Sequence, residues 1–150
     1  MSDERSNHEA HEEHEGRRWR MRLATPLSDE TEAIMRKTIG CAIAVHRELG
    51  PGFLESIYKK AMCIALAKAE MSYECEKAVD VIYEGIVIPG QRVDLIVEKQ
   101  VVAELKAIQR FDDIHEAQVI SYLKTTGLRA GLLINFRVPL LYRGIKRIVL

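Results

Sequence analysis

Asp94, Glu104 and Lys106 are the residues whose types and spacing suit chemistry. Strand alternation puts Val93, Leu95 and Val97 on one face and Asp94 and Ile96 on the other. On the next strand Val101, Ala103, Leu105 and Ala107 share a face, leaving Val102, Glu104, Lys106 and Ile108 opposite. Making the two apolar faces coincide fixes the pairing. A three-residue loop at Glu98–Gln100 then sets Val97 against Val101 and Asp94 against Glu104. Carboxylates opposed at ~4.5–5.5 Å between Cβ atoms repel each other, and Ile96 and Val102 beside them do not suit a solvated surface. A divalent cation between the acids removes the repulsion. Magnesium in particular is held by one or two carboxylates with waters and substrate phosphates; manganese is the alternative. Lys106, one pleat along on the same side, can orient a water or neutralise a phosphate oxygen. On spacing alone the competing reading is an exposed Asp/Glu/Lys cluster on a hairpin.

Asp94, followed by Ala103-Glu104-Leu105-Lys106, resembles the D…ExK signature of the PD-(D/E)XK nuclease superfamily, with Val93 in place of the proline of the family name. Gly52-Phe53-Leu54-Glu55-Ser56-Ile57-Tyr58 resembles the signature of the GxxExxY proteins, a small branch of that superfamily. So do Val45-His46-Arg47-Glu48-Leu49-Gly50-Pro51-Gly52, His115-Glu116-Ala117-Gln118 and Leu132-Leu133-Ile134-Asn135-Phe136. The resemblance runs from about Thr38 to Val149. It implies an α-β-β-β-α-β core with the metal site on the central hairpin, a Mg²⁺-dependent nuclease (Mn²⁺ as the other ion), and nucleic acid, DNA or RNA, as partner. It also implies that Glu55 joins Asp94 and Glu104 in the acidic cluster. Helical geometry lets Glu55 flank the apolar side near Met62 and Leu66 and point over the sheet. Gln118 and Tyr122 form QxxxY, like the pattern on the helix after the ExK strand in RecB-type nucleases. Spacing i, i+4 stacks both on one face, where they contact substrate or brace Lys106. Tyr58 and His115 stay open between packing and acting. Arg92, two residues before Asp94 on the same face, is a phosphate contact or the partner of an acid.

The alternative is a non-catalytic nucleic-acid- or protein-binding module that keeps the nuclease fold. Small size and a modest basic surface favour it, but it must explain why Asp94, Glu104, Lys106 and Glu55 occur together. No Walker loop, GxGxxG, HExxH or GxSxG supports an enzyme of another class.

Composition bounds what surrounds these residues. A chain of 150 residues, 47% apolar and 29% charged, has the length and makeup of one globular domain. Basic and acidic residues number 22 each, so the net charge of zero excludes a generically basic or acidic protein. The last acid, however, is Glu116, and Ala117–Leu150 carries six positive charges with none opposed. Lys124 and Arg137 from that stretch, with Arg92, are the expected phosphate contacts. Apolar runs such as Cys41–Val45 are far shorter than the ~18 residues of a membrane span. No apolar stretch follows Met1 as in a signal peptide. Three cysteines without a CxxC pair suit buried thiols in a reducing compartment. The expectation is a cytoplasmic protein off the membrane, with homo-oligomerisation left open.

Residues 1–27 read as a separate His/Glu/Arg-rich tail, in which His8, His11 and His14 recur among glutamates and Trp19 sits among arginines. Residues 28–150 read as one nuclease-like domain. Ser28 caps a first helix that Gly50-Pro51-Gly52 stops. A second runs from about Phe53 to Glu70, its polar side centred on Ser56, Lys60, Cys63 and Ala67, with Leu54, Tyr58, Ala61 and Ala65 opposite. Tyr73–Ala78, Val79–Tyr83, Ile86–Ile88, Arg92–Glu98 and Val101–Ile108 read as extended, punctuated by Glu84-Gly85, Pro89-Gly90 and Lys99-Gln100. Asp112 or Asp113 caps a third helix ending near Gly127. Ala130–Phe136 is a strand buried on both faces, and Ile145–Leu150 an edge strand. The order α-α-β-β-β-α-β-β gives an α/β (α+β) fold, a mixed sheet flanked by helices.

Overall fold

Ser28 opens the first helix by the means its residue type suggests: its Oγ accepts a hydrogen bond from the Thr31 amide at 3.1 Å. Asp29, Glu30 and Glu32 follow in the first turn, where the helix dipole favours acids. In the computed structural model, which describes residues 25–150, this helix (α1) spans Asp29–Leu49 and stops at Gly50, whose φ is 73°. The histidines at 8, 11 and 14 and Trp19 lie outside the described residues. Thr25, Pro26 and Leu27 already touch the body, because the Arg129 guanidinium donates to the Thr25 and Pro26 carbonyls and Leu27 packs on the core.

The second helix (α2) spans Glu55–Lys68. It begins two residues later than expected, so Leu54 lies before it in an extended conformation and is 76% exposed instead of buried. Its buried face is Tyr58, Met62 and Leu66, one residue per turn. Tyr58 stacks on Phe136 with ring centroids 4.5 Å apart. Its hydroxyl donates to the Gly50 carbonyl and accepts from the Phe53 amide, which ties down the Gly50–Leu54 link. Tyr58 is therefore a packing residue.

The strands are β1 (Tyr73–Tyr83), β2 (Ile86–Val97), β3 (Val101–Lys106), β4 (Ala130–Asn135) and β5 (Ile145–Val149). They form one five-stranded sheet in that order, antiparallel except for the parallel β3–β4 pair. The crossover between β3 and β4 carries the third helix, α3 (Asp113–Thr126). Pro89-Gly90 does not divide β2 as expected. Proline lacks the ladder donor, and the pairing with β1 shifts register between Val79 and Val81 to accommodate it. α3 starts at a capping box in which the Asp112 amide donates to His115 Nδ1 at 2.8 Å, so His115 also serves structure. The helix ends at Gly127 in the left-handed conformation.

Helices cover both faces. Leu95, Val97, Val101, Ala103, Leu105, Leu132 and Ile134 join α1 and α2 in one core cluster. Ile96, Val102, Leu133 and Ile148 join Val119, Tyr122 and Leu123 of α3 in the other. Full burial of such aliphatic side chains is worth about 1.5–3 kcal/mol each. Gly131 in β4 lets α3 sit close, since a Cβ there would stand 2.7 Å from Val119 Cγ1. No helix among the described residues is long and apolar enough to cross a membrane. All three thiols are free, but only Cys41 is buried; Cys63 is half-buried and Cys75 exposed, against the expectation that all are buried.

Candidate active site

The β2–β3 turn fixes the site's register. Val97 faces Val101, Ile96 faces Val102 and Leu95 faces Ala103, joined by the three residues Glu98–Gln100 as expected. Glu98 and Lys99 take φ of 50° and 55°, a left-handed conformation that costs roughly 1–3 kcal/mol for each non-glycine residue. Tertiary contacts hold it. Glu98 Oε1 accepts from the Ser72 amide at 2.7 Å, the Glu98 amide donates to the Ser72 carbonyl at 2.9 Å, and Thr31 Oγ1 donates to Gln100 Oε1 at 2.6 Å.

Beyond Leu95 the two strands part, and Asp94 stands at the fork. Its Oδ2 accepts from the Leu105 amide at 2.9 Å. The side chain thus supplies the acceptor that a straight backbone ladder would have provided. On the other edge the β1 pairing skips Glu76, whose φ is 52°. The alternation breaks here. Val93 packs under α3 with Ile96, and not, as expected, on the face of Leu95 and Val97.

Asp94 and Glu104 adjoin at this fork, 6% and 4% exposed. Burial first, and the Asp94 charge second, push the Glu104 carboxyl up to about 8, against partial relief from Lys106 and Lys59. Glu104 Oε1 lies 3.6 Å from Lys106 Nζ, while its Oε2 is buried without a hydrogen-bond partner among the described residues. Tyr122 reaches the same spot from α3. Burial, then the negative charges of Glu104 and Asp94, raise its phenol to about 12, so it stays a neutral donor. Gln118, one turn earlier, is half-buried. The structure thus gathers Asp94, Glu104, Lys106 and Tyr122.

Glu55 is not brought in as expected. Among the described residues no three acidic, His or Cys side chains are placed to hold one metal ion together. Glu55 meets the acids only through Lys59, whose Nζ lies 3.5 Å from Glu55 Oε1, 3.3 Å from Glu76 Oε1 and 2.9 Å from Asp94 Oδ1. Partial burial opposes the Lys59 charge, but hydrogen bonds and attraction from Asp94 and then Glu76 outweigh it and raise its pKa. Sequence reasoning missed Lys59 and Glu76. The signal for Lys59 was its i, i+4 spacing from Glu55; Glu76 carried none, because its reach depends on the strand break. Lys59 also borders an open groove of about 700 Å³ between α2 and β1 that includes Ser56, Cys63 and Cys75. Arg92, Lys124 and Arg137 are exposed, and no ion pair among the described residues ties them to the acids.

The donor set fits a hard divalent cation. Two buried carboxylates offer oxygen ligands of the kind Mg²⁺ and Mn²⁺ prefer, and one of those oxygens is unpartnered.

A family model described as the PD-(D/E)XK nuclease superfamily matches residues 32–148. No curated protein and no solved structure matches the chain significantly. The matched residues reach from the first turn of α1 into β5, and the chain belongs to the PD-(D/E)XK nuclease superfamily.

Proposed function

We propose that this superfamily member is a Mg²⁺- or Mn²⁺-dependent nuclease of the GxxExxY type that hydrolyses phosphodiesters in DNA or RNA. The observation that carries the reading is the buried Glu104 carboxylate, raised to about 8 beside Asp94 with one oxygen unpartnered. An acid in that state gains from a cation more than a solvated one does. Asp94 and Glu104 would hold the ion, which would supply positive charge for polarising a phosphate and activating water. Lys106 orients the attacking water and donates to the phosphate oxygen that gains charge. Tyr122 donates its hydroxyl proton toward the acids or substrate, with Gln118 one turn away to contact substrate. Glu55 acts at one remove, by holding Lys59. Arg92, Lys124 and Arg137 supply exposed charge for the nucleic-acid backbone. The GxxExxY assignment rests on the run from Gly52 to Tyr58. The free thiols support a reducing, cytoplasmic setting.

One observation favours a non-catalytic binding module instead: Asp94 already has a cationic partner in Lys59 at 2.9 Å. Cleavage of mixed DNA and RNA substrates under titrated Mg²⁺ and Mn²⁺, wild type against Glu104→Ala, separates the two. Ion-dependent cleavage that Glu104→Ala abolishes is the expected result. Ion-independent cleavage, or none by wild type under any condition, would sink the nuclease reading.

A further inference from the structure

We infer that Lys59 is a built-in counter-ion that keeps the place of the divalent ion on Asp94 and yields it when the ion binds. This rests on the metal-site reading above and adds how that site is regulated. Asp94 has two carboxylate oxygens with different fates. Oδ2 is committed to the Leu105 amide at 2.9 Å. Oδ1 is the one left to bind a cation, and it is the one Lys59 grips at 2.9 Å. Ammonium and metal ion therefore compete for one atom.

The surroundings suit such an exchange. The Asp94 side chain is 8% exposed, so an uncompensated charge there is strongly destabilising. One ammonium covers Asp94 but leaves Glu104 with a bare oxygen, whereas a divalent ion between the acids covers both. Lys59 need not go far when displaced. Glu55 and Glu76 already lie within 3.5 Å of its Nζ, both more exposed than Asp94, and the groove beside it gives the stem room. Glu76 reaches Lys59 from a left-handed backbone conformation that a glutamate adopts only against a cost. A retaining partner for the displaced ammonium gives that conformation a use.

Calorimetric titration of the full chain with MgCl₂ and with MnCl₂ tests this without any activity assay. Lys59→Met should bind either ion about tenfold tighter or more. Lys59→Arg keeps the charge but grips a carboxylate with a planar two-donor fork, and should bind the ions more weakly than wild type. A purely long-range charge effect would leave Lys59→Arg equal to wild type, so that equality overturns the inference, as does wild-type affinity in Lys59→Met. Should Lys59→Met not fold, the Lys59 ammonium resonance of wild type decides by nuclear magnetic resonance: Mg²⁺ must shift it, and an unmoved signal overturns the inference. Ion binding by wild type with no role for Lys59 removes this inference alone. Absence of ion binding by wild type and both variants removes the metal-site reading with it.

Discussion

β2 is two strands in one. Its second half, Val93–Val97, pairs with β1 and, from Leu95 on, with β3, with helices over both faces, and Leu95 is 0% exposed. Its first half, Ile86–Arg92, pairs only with β1, and Ile86 is 68% exposed. Ile86–Ile88 in the first half is as apolar as Leu95–Val97 in the second. Composition makes a strand, but burial is decided by what arrives to cover it, and β3 is too short to cover the first half. Asp94 stands where the covered half meets the uncovered one. That boundary lets a carboxylate be buried yet meet Lys59, which borders the groove between α2 and β1.

Substitutions along this boundary test the contrast, the largest effect first. Lys106→Met should lower kcat of ion-dependent cleavage roughly 10²–10³-fold, the usual loss for one charge-stabilising donor, with the melting temperature little changed. Ile86→Ser, out on the uncovered half, should cleave as wild type. Equal losses in the two variants would show that the chemistry is not confined to the fork.

Within β2 itself, Leu95→Ala should cost about 2–5 kcal/mol by denaturant unfolding, while Ile86→Ala stays within about 0.5 kcal/mol. A comparable loss at both positions would mean that the uncovered half is buried in solution, for instance against a second copy of the chain.

Next comes pH dependence. The Glu104 carboxyl, ordinarily near 4.5, is raised to about 8. Below pH 4.5 it is protonated in folded and unfolded chains alike. As pH rises from there toward 8 the unfolded state gives up its proton and the folded state resists, so stability falls across that window and levels above it. Glu104→Gln should flatten this segment. It should also raise ion-free stability at pH 8 by roughly 1 kcal/mol, the scale of an opposed like-charge pair. A melting curve for Glu104→Gln that keeps the wild-type slope would assign the fall to other groups.

Much of this was legible in the residues, and where legibility failed is instructive. Helix limits followed Ser28, Asp112 and Gly127, which act locally through caps. The Val97–Val101 register followed from two apolar faces that had to coincide, and it brought Asp94 to Glu104. Reading failed where tertiary contacts overrule local pattern. Pro89 reads as a break because its missing donor is a local fact, whereas the bulge that absorbs it, Pro89 and Gly90 set against Asp80 alone, exists only in the pairing with β1. Val93 lies on the face opposite to the one alternation assigns it, because alternation presumes a straight strand. Lys59 does not stand out in the sequence as a site residue, because helical periodicity marks only the apolar face and the acid it meets is thirty-five residues away.

Among the described residues, β3 and β4 are the one parallel pair, and that has a consequence for assembly. The β1–β2–β3 meander closes through short turns, which form early because little chain must be ordered. The parallel pair waits for a crossover of more than twenty residues, with α3 inside it, to dock. Until it does, β3 presents an open edge that includes the apolar run Val101–Ala103, able to pair with the wrong chain. Refolding yield should therefore fall with protein concentration when α3 docking is slowed, even in variants whose final stability is unchanged.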